Sequence, residues 1–215
     1  MKKRKLLLIP VGLVIIAAAV ILIVRMTGSS HHAIDHDPEP EVSGKSSALV
    51  AYFSWSGNGQ QMADWIAEET GGDLFRILTE EPYGDDFDAT AERAQAELKA
   101  GTRPALSTHI DPEIMAQYDV IYLGFPVWWY DLPTPVWTFL EEYDLSGKTI
   151  VPFFSHNGSS NGANSLNRIA ELASGAAVRT ENALSIRGSS VSGSEAKVKE
   201  WAMSMQEQIG GMTEK

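Results

Sequence analysis

Ala48-Leu49-Val50-Ala51-Tyr52-Phe53-Ser54-Trp55-Ser56-Gly57-Asn58-Gly59-Gln60 is a short apolar run that ends in hydroxyls, an amide and two glycines. Beyond it, Met62, Trp65, Ile66 and Glu69 recur at helical spacing, so the stretch reads as strand, turn and helix, the helix beginning near Asn58. The alternation continues along the chain. Asp73 to Leu78 predicts a second strand, and Asp88 to Ala100, rich in Ala and Glu, a helix; an irregular connection around Pro82-Tyr83-Gly84 separates them. Val120 to Phe125 is a buried strand stopped by Pro126, Thr134 to Tyr143 a helix, and Thr149 to Phe154 a further strand. Asn161 to Leu172 is helical, Ala177 to Ile186 contains a last strand, and Ser194 to Gln208 closes as a helix. Five near-continuous apolar strands alternating with helices predict an α/β domain over residues 47–210, a doubly wound parallel sheet covered on both faces. Ligands of such sheets bind in the loops at the carboxyl ends of the strands.

Of 215 residues, 44% are hydrophobic and 21% charged, which suits one domain of ordinary size with an appendage. Residues 1–25 hold five of the 17 basic side chains and no acidic one, so the remainder carries 12 basic against 28 acidic groups, a net charge of −16. That balance excludes a nucleic-acid partner, which needs clustered Lys and Arg. Cysteine is absent. Thiol catalysis, disulfides and thiolate metal sites are therefore excluded, and any redox chemistry must come from a bound cofactor.

The appendage is amino-terminal. Leu6 to Val24 is apolar except for Pro10 and Gly12, follows Lys2-Lys3-Arg4-Lys5 and precedes Arg25. Nineteen residues at about 1.5 Å each nearly cross a hydrocarbon core of about 30 Å. The heavier basic flank leads, so residues 1–25 are expected to be a membrane anchor, spanning through 6–24, that leaves the domain on the extracytoplasmic side. The alternative is a signal peptide cleaved to release a secreted domain; Thr27-Gly28-Ser29-Ser30 is a poor cleavage site for it. Residues 26–46 are polar and read as a flexible linker, and His31, His32 and His36 within it as linker residues rather than metal ligands.

Three loops carry the chemistry. Ser54 to Gly59 offers hydroxyls, an amide and a glycine path at a helix amino terminus, where N–H groups and the helix dipole favour an anion; a plain Gly/Ser turn with a cap is the other reading. A GxGxxG dinucleotide fingerprint is missing, since no third glycine follows Gly57 and Gly59 at the required spacing. Pro126-Val127-Trp128-Trp129-Tyr130, at the end of strand three, sets three adjacent aromatics in a rigid segment, and all three cannot enter one core. At least one ring is left for a planar ligand. Ser155-His156-Asn157-Gly158, after strand four, brings polar side chains and backbone N–H groups suited to the edge of a heterocycle. A serine hydrolase is not indicated, for there is no G-x-S-x-G elbow and no acid placed to orient His156. Ser146-Gly147-Lys148-Thr149 has the look of a P-loop tail, but it precedes a strand and position 142 is Glu, so it reads as a turn.

Taken together, these loops resemble the flavodoxin family, in particular flavodoxin-like proteins with a Pro-x-Trp-Trp element, here Pro126 to Trp129. The resemblance runs from about Ser47 to Gln208 and includes Tyr118 to Gly124, Phe139-Leu140-Glu141 and Pro152-Phe153. It implies a five-stranded sheet in the order 2-1-3-4-5 and FMN at its carboxyl edge. Ser54, Ser56, Gly57, Asn58 and Gly59 would hold the phosphate, with Trp55 in the same loop. Pro126, Val127, Trp128, Trp129 and Tyr130 would lie near the ring, and Ser155, His156, Asn157 and Gly158 along its polar edge. Two positions depart from the family. Gly59 stands where Thr is usual, removing a hydroxyl from the phosphate site, and His156-Asn157 replaces a more glycine-rich pair. The implied function is electron transfer or an FMN-dependent oxidoreductase activity, toward a redox partner protein or a quinone-like acceptor. A flavodoxin-like binding module without flavin is the alternative, and no catalytic side chain of the protein's own is assigned.

Overall fold

The computed structural model describes residues 47–158 and 160–213. The apolar run 6–24, the linker 26–46 and the three linker histidines lie outside the described residues. Among the described residues no helix is long and apolar enough to cross a membrane.

Twelve elements follow in order: β1 (Ala48–Tyr52), α1 (Asn58–Thr70), β2 (Asp73–Arg76), α2 (Phe87–Ala100), α3 (Pro112–Met115), β3 (Val120–Pro126), α4 (Thr134–Glu142), β4 (Thr149–His156), α5 (Ala163–Leu172), β5 (Ala177–Val178), β6 (Leu184–Arg187) and α6 (Glu195–Thr213). The parallel sheet runs β2-β1-β3-β4-β5, and β6 also pairs with β4. Alternate residues of each strand enter opposite cores. Leu49, Ala51 and Phe53 pack with Val136, Trp137, Phe139 and Leu140 of α4 and Ile169 of α5. Val50 and Tyr52 pack with Met62, Ala63 and Ile66 of α1 and Val198, Ala202 and Met205 of α6. Burial on both faces is why the strands read as unbroken apolar runs.

The strand bounds differ from the sequence-based ones. β1 ends one residue earlier, at Tyr52, β3 takes in Pro126 rather than stopping before it, and β4 runs on to His156; the second and last strands change course. The second strand stops at Arg76, not Leu78, because the chain turns to new partners: Leu78 N–H donates to the Thr108 hydroxyl at 3.1 Å, and Thr79 bridges Leu106. The last strand is split. Val178 sits opposite Ile150 and Leu184 opposite Phe153, so six steps along the edge match three on β4. The surplus forms a 3₁₀ turn, Thr180–Asn182, whose Asn182 carbonyl accepts the Trp201 indole N–H at 2.7 Å. Gly147 turns the chain into β4 at φ 78°, and Lys148 is buried there, donating to the carbonyls of Tyr118 (2.6 Å) and Ala116 (3.4 Å). The segment is the turn expected, and its lysine serves backbone rather than phosphate.

Candidate functional site

The carboxyl ends of β1, β3, β4 and β6 deliver their loops to one end of the sheet. There they border a cleft of about 730 Å³, within the range for small-molecule sites.

In the loop after β1, Gly57 takes a left-handed conformation (φ 84°) and, having no side chain, leads into α1 without supplying a cap to it. Ser54 is buried and its Oγ has no hydrogen-bond partner among the described residues. A buried hydroxyl left unpaired costs about 1–3 kcal/mol, the usual mark of a site awaiting a ligand or water. Trp55, Ser56 and Asn58 border the cleft, and the Trp55 indole N–H donates to Gly84 O at 2.9 Å. Gly59 is buried: a Cβ there would stand 3.2 Å from both Phe53 O and Ser54 Cβ and 3.3 Å from Ser54 Oγ. A side chain at 59 would therefore press on the end of β1 and on Ser54, which would have to shift by a few tenths of an ångström.

Pro126, Val127, Trp128 and Trp129 form a second wall of the cleft. Trp128 N–H donates to Asp131 O (3.1 Å) and Asp131 N–H to Trp128 O (2.9 Å), which closes a two-residue hairpin. Its tip residues both have positive φ, 49° at Trp129 and 65° at Tyr130. Such turns favour Asn-Gly because bulky side chains are strained in this region. Trp128 is half-buried, edge-on to Phe53 (5.2 Å) and Tyr83 (5.1 Å), whereas Trp129 and Tyr130 are about half exposed. Tyr130 faces a neighbouring hollow of about 460 Å³ shared with Gly158, Ser160, Asn161 and Asn164.

From β4, Ser155, His156 and Asn157 reach the cleft. The Gly158 N–H donates to His156 Nδ1 at 2.8 Å, which leaves Nε2 to carry the proton of the neutral ring. Burial pulls the His156 pKa below its ordinary value, and the nearby Arg187 charge adds to the effect. The Arg187 guanidinium lies against Gly158, where a Cβ would come within 2.0 Å of it.

The structure thus gathers Trp55, Ser56, Asn58, Pro126 to Trp129, Ser155, His156 and Asn157 around one cleft. Ser54, Gly57 and Gly59 shape the turn beneath it, and Tyr130 and Gly158 border the hollow alongside. The sequence reading missed two walls. One is the exposed face of α2, with Phe87, Asp88, Ala91, Glu92 and Gln95; the other is Gly188-Ser189 after β6. The i, i+4 pairs Phe87/Ala91 and Asp88/Glu92 were the available signal for the first. For the second it was the strand-end rule applied to the last strand. Among the described residues no Lys or Arg borders the cleft.

Comparison with known proteins places this geometry. A family model described as Flavodoxin matches residues 47–205. A candidate flavoprotein from Bacteroides uniformis shares 31% identity, covers 73% of this chain and 97% of its own, and superposes with a TM-score of 0.61. A second from Bacteroides eggerthii shares 28% identity over 70% and 96% of the two chains at a TM-score of 0.56. A flavoprotein from Lactobacillus acidophilus, solved in complex with FMN, shares 27% identity over 67% and 95% at 0.53. No functionally curated protein matches the chain. With the expected strand order in place and a family match over most of its length, the chain belongs to the flavodoxin family.

Proposed function

We propose that the protein binds FMN at the carboxyl edge of its sheet and uses it to carry or transfer electrons. The observation that carries this reading is the orphaned Ser54 hydroxyl, buried at an uncapped helix amino terminus beside an aromatic-walled cleft. The phosphate would be held by Ser54, Ser56, Asn58 and the backbone of Gly57 to Gly59, with Trp55 at the rim. Gly188 belongs to the same cradle, since a Cβ on it would stand 2.8 Å from Asn58 Nδ2. Pro126, Val127, Trp128 and Trp129 would wall the ring, with Ser155, His156, Asn157 and Gly158 on its polar edge and Tyr130 beyond. The donor set fits a phosphomonoester held by hydroxyls and N–H groups without a lysine.

Bound FMN supplies one- and two-electron chemistry. The side chains bind, orient and shield. Trp128 and Trp129 limit water access, and neutral His156 keeps an N–H that can bond or return a proton at the cleft. The partner in exchange is a quinone-like acceptor or a redox protein. Residues 6–24 would hold the domain at the outer face of the membrane; mass spectrometry of the mature chain, finding residues 1–25 retained, checks the anchor, and a start near Ser29 removes it.

The absorption spectrum of purified full-length protein tests the redox reading. Flavin bands, or their appearance after FMN is added and excess removed, are expected. A chain that stays colourless after reconstitution is instead a flavodoxin-like module that has lost its cofactor.

A further inference from the structure

The Glu97 carboxylate, on the face of α2 behind the aromatic wall, collects three donors from three segments. It accepts from Tyr83 Oη at 2.5 Å, from Thr134 Oγ1 at 2.6 Å and from Arg93 Nε at 2.8 Å. Its side chain is only 11% exposed. Tyr83 lies in the irregular connection before α2, and Thr134 opens α4 directly after the aromatic loop. Arg93 completes the knot: its guanidinium carbon stands 4.2 Å over the Tyr83 ring, and Nη1 donates to Pro82 O at 3.1 Å. Burial and the Glu97 hydrogen bond hold the Tyr83 phenol well above its ordinary pKa, so it remains a donor.

What this knot holds is Trp128. The Tyr83 ring meets the Trp128 indole edge-on at 5.1 Å, and Phe53 meets both, at 5.7 Å from Tyr83 and 5.2 Å from Trp128. Phe53 directly precedes the loop that begins at Ser54. Removing a shared acceptor from three partly buried donors leaves at least one unsatisfied, and the ring it orients gains freedom.

We propose that Glu97 is a positioning residue for the planar ligand: through Tyr83 it fixes the angle of the Trp128 indole that walls the cleft, without touching the ligand. The proposal rests on the FMN reading for the identity of the ligand, though not for the indole it orients. Because Glu97 acts on the ring wall, its loss weakens FMN and riboflavin alike; an effect transmitted through Phe53 to the phosphate loop would weaken FMN alone.

The test compares full-length wild type, Glu97→Gln and Glu97→Ala, with Val198→Ala in α6 as a control of similar stability loss on the opposite sheet face. Near-UV circular dichroism of ligand-free protein reports the indole, and fluorescence titration gives the FMN and riboflavin dissociation constants well below the unfolding temperature. Glu97→Gln is expected to keep its far-UV spectrum, to change the aromatic signal, and to lose FMN and riboflavin affinity by the same factor, roughly tenfold. Glu97→Ala should lose more, and Val198→Ala should change neither readout. Unchanged flavin affinity, loss of FMN affinity alone, or an equal loss in Val198→Ala overturns the proposal. Should the wild type bind neither flavin, the FMN reading fails by itself, and Glu97 is judged by the indole signal: an unaltered spectrum in Glu97→Ala overturns it.

Discussion

The indole N–H of Trp129 donates to the carbonyl of Ala91 at 2.9 Å and so ties the tip of the aromatic hairpin to the amino-terminal half of α2, both of them walls of the cleft. This bond holds in place a turn whose backbone disfavours the side chains it carries.

Tyr130 is the clearer case of that conflict, with φ 65° and more than half of its surface exposed. Tyr130→Gly should raise the free energy of unfolding by about 1 kcal/mol, because glycine enters the left-handed region without a Cβ clash. Urea denaturation monitored by circular dichroism measures it. A lower midpoint in the variant would show that the ring's contacts outweigh the strain.

Ser54 presents a different balance. Ser54→Ala removes an unpaired buried hydroxyl, so the ligand-free protein should be as stable as wild type or more so, by up to about 1 kcal/mol, while FMN affinity falls about tenfold. Thermal unfolding without ligand and FMN titration read the two effects separately. A destabilised ligand-free variant would mean that Ser54 serves the fold.

Gly188 tests the far side of the same cradle. A Cβ at 188 would meet Asn58 Nδ2 at 2.8 Å, and the amide, being the end of a side chain, can move aside. Gly188→Ala should therefore cost under about 1 kcal/mol of stability yet weaken FMN several-fold by displacing Asn58. A flavin titration indistinguishable from wild type would remove Asn58 from the phosphate site.

Two histidines should titrate on opposite sides of the ordinary value near 6.5. His109 Nδ1 lies 2.7 Å from Glu142, and that hydrogen bond holds its pKa up. Its contribution to stability is present below the unfolded-state value and is lost as pH rises through the folded one. Burial and then Arg187 hold His156 down, so its contribution is complete above the unfolded-state value and is lost as pH falls toward the folded one. Histidine ring resonances followed by NMR between pH 5 and 8 check the order; His156 titrating above His109 would contradict it.

How far the site could be read from sequence depended on how local each part is. β1, β3 and β4 are buried on both faces, and so their apolar runs announced them. The loops after them follow directly in the chain, which is why Ser56, Trp128 and His156 were legible. The α2 wall was not, because which face of a helix turns to a cleft depends on its docking: the i, i+4 spacing of Phe87 and Ala91 marks a shared face without saying what that face meets. The split of the last strand was hidden for a similar reason. Three surplus residues at 178–184 look like any strand until their register against β4 is known, and that uncertainty hid Gly188 as the first residue past the strand end. Glu97 was hidden most deeply: in sequence it is one of several acidic residues in an Ala/Glu helix, and only the fold brings Tyr83 and Thr134 to it.

Calorimetric titration of the full-length protein with FMN and, separately, with riboflavin tests the central claim most directly. One FMN per chain is expected, bound at least tenfold more tightly than riboflavin, since only FMN brings the phosphate that, we propose, Ser54 and the start of α1 hold. Equal affinity for the two, or no heat with either, would contradict it.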